Sequence, residues 1–239
     1  MLLRHHVLHS TLLLGVMSAQ IVLGLAIQQG LDGSDGFGSN DVVLNAPVCA
    51  SLTSTRDQSL PDGNRITKTY SVRICRDSRG RTSQMFDEPN APEFRPDVIQ
   101  NPAVNERIIL DPVRRIAAKH VMRFDITRGF SPYAAGSSDI VIEDLGDAWI
   151  DGIFTRKSKI TRTIPVGRMG NEHEMKIVVE RWYSPDLKIV VLQKQRDSMG
   201  SSVTEVKNVV PGEPEYSLFE IPPDYTVDTT YMQREPNLK

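Results

Sequence analysis

Five histidines, two cysteines and one basic run are the residues of this chain whose types and spacing could do chemistry. His5, His6 and His9 sit in an apolar N-terminal stretch, which leaves His120 and His173 for the body. Neither belongs to a His-x-His, HExxH or paired CxxC arrangement, so no zinc ligand set is expected. Asn171-Glu172-His173-Glu174 offers ligand types, but this spacing reads as a solvated loop. His120 shares an alternating face with Ile116, Ala118, Met122 and Phe124, which suits a packed histidine better than a base. There is no GxSxG elbow. Gly33-Ser34-Asp35-Gly36-Phe37-Gly38 lacks the strand-then-helix setting of a phosphate loop. Glu143 and Asp144 are adjacent, and adjacent strand residues point to opposite faces, which makes a poor acid/base pair. No catalytic residue, metal site or cofactor is expected, and the chain does not read as an enzyme. The basic run alternates: Arg156, Ser158, Ile160 and Arg162 on one face, Lys157, Lys159 and Thr161 on the other. It reads as a solvated strand or, more sharply, as a patch in which Arg156, Lys157, Lys159 and Arg162 meet anionic headgroups or an acidic segment.

The cysteines say more, because a turn fixes their register. Leu60-Pro61-Asp62-Gly63-Asn64 suits a three-residue hairpin loop, type I at Pro61-Asp62 and then Gly63 left-handed. Leu60 then faces Asn64, and paired residue numbers sum to 124, as do those of Cys49 and Cys75. The same register sets Ala50 opposite Ile74 and Leu52 opposite Val72, with Ser51 opposite Arg73 and Thr53 opposite Ser71 on the other face. A one-residue shift would set apolar against polar residues. A cross-strand Cys49–Cys75 disulfide on the more polar face is expected, provided the pair is a non-hydrogen-bonded one with its Cα atoms closer than about 7 Å. The alternative is two unbridged cysteines.

The elements that must position these residues are mostly strands. Met175–Leu192 (MKIVVERWYSPDLKIVVL) sets two β-branched runs around Tyr183-Ser184-Pro185-Asp186, which is hairpin chemistry. Loops of two, three or four residues all fit there. Its apolar runs do not alternate cleanly, so both faces need cover. Further strands are expected over Val48–Ser59, Arg65–Arg76, Arg81–Phe86, Arg107–Leu110, Ile116–Phe124, Asp139–Leu145, Ala148–Asp151, Phe154–Ile164 and Ser202–Val210. Gly146-Asp147 splits two of these. Asp87–Asn105 holds four prolines and reads as a long loop, with a short helix near Val98–Asn105 as an option. Gly129–Ser138 reads as another loop. The total is about ten strands and almost no helix. The expected fold class is therefore mainly β, a single large curved antiparallel sheet or unclosed barrel.

Met1–Ala26 carries one formal charge, Arg4, ahead of an apolar run that ends Gly24-Leu25-Ala26. This reads as a signal peptide over 1–26, cut after Ala26, with an uncleaved anchor as the alternative. Either way the body is exported, periplasmic or secreted. Residues 27–47 read as a flexible Gly-rich leader, 48–227 as the antiparallel domain and 228–239 as a disordered tail. A net charge of -2 and 6% aromatics disfavour a nucleic-acid partner.

Three segments also carry a family resemblance. Asp144-Leu145-Gly146-Asp147-Ala148-Trp149-Ile150-Asp151-Gly152, then Glu180-Arg181-Trp182-Tyr183-Ser184-Pro185, then Ser217-Leu218-Phe219-Glu220-Ile221-Pro222-Pro223-Asp224-Tyr225 resemble segments of LolA/LolB/RseB-type periplasmic half-barrels. Ala50–Val227 as a whole is similar to a group of uncharacterised exported bacterial proteins, with Tyr70–Arg81 and Ile108–Val113 as further matches. The resemblance implies an unclosed antiparallel barrel whose concave face holds an acyl chain, a lipidated protein or a partner segment. The chain departs from the carriers in its Gly-rich Leu31–Asn40, where they begin with an amphipathic helix. The expected function is a non-enzymatic envelope protein binding lipid or lipoprotein, with Trp149, Trp182, Tyr183, Leu187 and Phe219 as ligand-contact candidates. The alternative is an RseB-like regulatory protein that binds another envelope protein.

Overall fold

The computed structural model describes residues 42–86, 96–124 and 139–228. The expected signal peptide, the leader up to Asp41, the Gly129–Ser138 loop and the tail beyond Asp228 lie outside the described residues. The strands are β1 Val48–Ser59, β2 Arg65–Arg76, β3 Thr82–Phe86, β4 Asp97–Asn101, β5 Glu106–Asp111, β6 Ile116–Val121, β7 Ile140–Ile150, β8 Ile153–Ile164, β9 Met175–Ser184, β10 Ile189–Asp197, β11 Gly200–Pro211 and β12 Thr226–Asp228. They form one sheet in the order β12-β6-β5-β4-β3-β2-β1-β11-β10-β9-β8-β7. Neighbours are antiparallel throughout, except that β12 runs parallel to β6. The sheet does not close into a barrel.

Chain order and sheet order differ at two places, and at one of them β12 returns to lie beside β6. β1 sits between β2 and β11, so the two halves of the chain fan out from it as two runs of hairpins. The β1–β2 register is the one the turn dictates, from Val48–Arg76 to Ser59–Arg65, with Cys49 opposite Cys75. Gly63 takes φ 83°, and the loop closes through Leu60 N–H to Asn64 O at 2.8 Å and Gly63 N–H to Leu60 O at 3.0 Å. At the β9–β10 hairpin Ser184 faces Ile189, so the loop is the four-residue Pro185–Lys188, with Lys188 at φ 51°.

Three expectations are corrected. The proline-rich segment is not loop or helix throughout: β4 pairs with β3 and β5, and among its described residues, 96–105, Pro102–Val104 forms a 3₁₀ turn. The reason is burial on two faces, since Val98 and Ile99 point opposite ways and are both buried. Gly146-Asp147 does not split a strand. It lies in a bulge of a continuous β7, where the pairing shifts between Asp144 and Asp147 and Gly146 takes φ 82°. Residues 42–47, read as the end of the leader, pack instead: Val42, Val43 and Ala46 are buried. Val42 lies against the turn after β2. A Cβ on Gly80 would come within 2.6 Å of Val42 Cγ1, and Gly80 has φ 81°, so this turn requires glycine.

Alternation divides the sheet into two faces. One carries Val48, Ala50, Leu52, Val72, Ile74, Val191 and Val206, a buried cluster at the centre of the molecule. Following the pairings outward, the same face carries Ile160, Val179 and Ile177 on one side and Val98 on the other, all buried. It is called the Leu52 face here. The opposite, Cys75 face holds a second cluster of Cys75, Ile99, Ile108, Leu110, Ala117 and Phe219.

Candidate binding face

The Leu52 face is apolar in its middle and polar at its margins, and three arginines mark those margins. Arg76 follows Val72 and Ile74 in phase, so the strand period carries a cation into the interior. It is fully buried. Its Nε and one terminal nitrogen donate to Ala46 O at 2.9 and 2.8 Å, and its terminal nitrogens also reach Leu187 O at 2.6 Å and Lys188 O at 3.3 Å. It thus ties the entering segment 42–47 to the β9–β10 loop. Burial pulls its pKa down to about 10, with Tyr183 pushing the other way, so it stays charged at neutral pH. Arg181 follows Ile177 and Val179 in the same manner. It is buried and donates from Nε to Gln193 Oε1 at 2.6 Å. Arg107 pairs in register with Gln100 and His120, and burial lowers its pKa. Thr82 donates to Gln100 Oε1 at 3.2 Å beside it.

The Cys75 face differs between its halves. Over β3 and β4 it is covered by the 3₁₀ turn Tyr216–Phe219, and Phe219 is buried there. Arg81 pins this cover. It forms a buried ion pair with Asp77 at 2.6 Å and lies under the rings of Tyr216 and Phe219 at 4.5 and 4.8 Å. Burial alone would lower the Arg81 pKa, but the Asp77 carboxylate and Tyr216 outweigh it and hold it above its ordinary value. The Cys49–Cys75 disulfide is formed with its Cα atoms 4.1 Å apart. Its surroundings correct the expectation of a polar face: Cys75 is buried among Ile99, Leu110 and Phe219, because the C-terminal segment folds back over it. Over β8–β11 the same face carries Lys157, Lys159, Glu180, Lys194 and Lys207.

The ligand-contact candidates are not gathered in one place. Tyr183 and Leu187 lie with the Leu52 cluster and its Arg76 margin. Trp182 points to the other face and is buried under lysine ends, with Lys157 Nζ 4.7 Å and Lys194 Nζ 5.6 Å from its ring. Those lysines cover the second face of the β9–β10 hairpin. Phe219 belongs to the C-terminal cover. Trp149 is 69% exposed near the end of the edge strand β7 and packs edge-on against Phe154 at 5.6 Å. The basic run divides as its alternation dictates. Arg156 and Arg162 lie in register with Tyr183 and Ile177, while Lys157 and Lys159 pair with Glu180 at 2.9 Å and Glu143 at 2.8 Å. Among the described residues no group of three or more His, Cys, Asp or Glu side chains could hold a metal ion.

Sequence reasoning missed the buried arginines, since charge on a strand ordinarily faces water. A signal was present: Arg76 and Arg181 both continue an apolar alternation in phase.

The architecture is a single unclosed sheet of twelve strands, antiparallel but for β12. Among solved structures the chain is similar to the LolA superfamily protein NE2245 from Nitrosomonas europaea, at 11% identity over 81% of this chain and 96% of that one, TM-score 0.36. It is also similar to MucB, at 7% identity over 86% of this chain and 64% of that one, TM-score 0.43. A third is the lipoprotein LppX from Mycobacterium tuberculosis, at 16% identity over 82% and 98%, TM-score 0.29. No family model matches the chain, and no curated protein matches it in sequence. The two faces of the sheet, not these likenesses, bear the functional reading.

Proposed function

We propose that this chain is a non-enzymatic cell-envelope binding protein that holds an acyl chain, of a lipid or a lipidated protein, against the Leu52 face. The observation that carries the reading is the continuity of that face. Buried apolar side chains from β1, β2, β4, β8, β9, β10 and β11 share it, in a sheet that does not close into a barrel. An extended hydrocarbon gains roughly 0.8 kcal/mol for each methylene taken out of water, and needs an apolar strip rather than directional bonds. Tyr183 and Leu187 are the contact candidates that lie on this side, and Arg156 and Arg162 are the cations nearest its β8 margin. Export agrees with the disulfide, a bond characteristic of oxidising compartments.

Native mass spectrometry of the protein purified from the envelope is the test, followed by delipidation and photo-crosslinking with a diazirine fatty acid. Acyl species are expected to co-purify, and the label is expected on the half-buried Tyr183 and Leu187 at the margin of the Leu52 face. An acyl-free mass together with label spread over the Cys75 face would reject the proposal.

A further inference from the structure

The sheet ends at β7, and this end is built unlike the rest. Among the described residues no strand lies beyond it. Every residue from Val141 to Asp147 is exposed. Val141, Ile142, Leu145 and Trp149 keep 58%, 42%, 42% and 69% of their surface open to solvent. Such an edge presents unpaired N–H and C=O groups, a template for another strand, and proteins commonly blunt it with charges and bulges. β7 has both. Glu143, Asp144 and Asp147 are its charged residues, it has no lysine or arginine, and its bulge falls between Asp144 and Asp147. Lys159 occupies Glu143. Among the described residues Asp144 accepts only the Gly146 N–H at 2.8 Å, and neither Asp144 nor Asp147 is in an ion pair, although Arg156 stands opposite Asp147 in the β7–β8 register. A second copy of the chain pairing here would set acid against acid, and like charges opposed across strands are destabilising. A basic strand would meet its complement.

We propose that β7 is a docking edge for an extended segment of another polypeptide in which basic residues alternate with apolar ones. The segment adds to the sheet as a further strand. Main-chain hydrogen bonds along Ile140–Asp144 hold it. Its apolar side chains meet Val141 on one face, and its cations meet Asp144 and Asp147 on the other. This stands apart from the acyl reading, because it needs the backbone edge of β7, unpaired among the described residues, and not the apolar middle of the Leu52 face.

Hydrogen exchange of the full chain, with synthetic peptides as probes, tests it. An eight-residue peptide alternating lysine and valine is expected to slow exchange over 140–150, and its glutamate–valine counterpart is not. Methylating alternate peptide nitrogens should abolish the effect. The D144K/D147K variant, altered only at exposed side chains, should bind the basic peptide about tenfold more weakly, as cross-strand charge pairs of this kind predict. No protection by the basic peptide, equal protection by the acidic one, or protection of this edge that grows with protein concentration alone would overturn the proposal. Co-purified acyl species without peptide protection would remove this inference and leave the groove reading standing.

Discussion

Removing the disulfide tests the central hairpin pair most directly. Cys49 and Cys75 are 26 residues apart and directly opposed in the β1–β2 register. In the chain-entropy account, the crosslink closes that loop in the unfolded chain and removes entropy worth about 3.5 kcal/mol at 25 °C. Cys75 also packs against Phe219 and the β4–β6 residues, so replacing it with alanine adds a small void costing on the order of 1 kcal/mol. The C49A/C75A variant should therefore lose roughly 3.5–4.5 kcal/mol. Urea unfolding followed by circular dichroism reads this as a midpoint lowered by about 1–2 M, given slopes near 2–3 kcal/mol/M. The reduced wild type is the control that removes the crosslink and keeps the sulfur atoms, and it should fall between the two. A loss under about 1 kcal/mol would refute the loop argument. It would mean that the unfolded chain already holds the β1–β2 hairpin closed.

Two further outcomes follow from the charged groups. Arg76→Met leaves the carbonyls of Ala46, Leu187 and Lys188 without this donor, so it should cost roughly 3 kcal/mol or more and raise hydrogen exchange over 42–47 first. An unchanged urea midpoint would show that the clasp is dispensable. Glu180 is held below its ordinary value of 4.5, chiefly by the Lys157 hydrogen bond and against a burial effect that raises it. A depressed carboxyl contributes stability that is present above its unfolded pKa and lost as pH falls through the folded one. In a W149F background, Trp182 emission should therefore change below pH 4.5 as Lys157 is released, and should not do so in E180Q. The pair is partly exposed, so its share of stability stays within about 1 kcal/mol. Identical titrations of both proteins would dismiss the link.

Local chemistry settled a good part of this molecule in the sequence alone. The Pro61-Asp62-Gly63 turn determined the β1–β2 register and with it the cysteine pairing. Period-two alternation marked β1, β2, β6 and β8, and β-branched runs marked β9 and β10. The architecture, a large open antiparallel sheet, followed from the count of such elements. These features are short-range, because a turn or an alternation is decided by residues that touch in sequence. Tertiary structure decided the rest. That β1 lies between β2 and β11 depends on a long-range pairing no local pattern specifies. Whether the cysteine side is wet or dry depended on Tyr216–Phe219 returning over it from more than a hundred residues away. The same holds for charge. Arg76 and Arg181 read as exposed cations until carbonyls from other segments and the Gln193 side chain supply their bonds. It holds too for the ligand-contact candidates, which sequence grouped by type and the fold divides between two faces and an edge. Strand parity assigns a side chain to a face, and only the assembled sheet determines what meets that face.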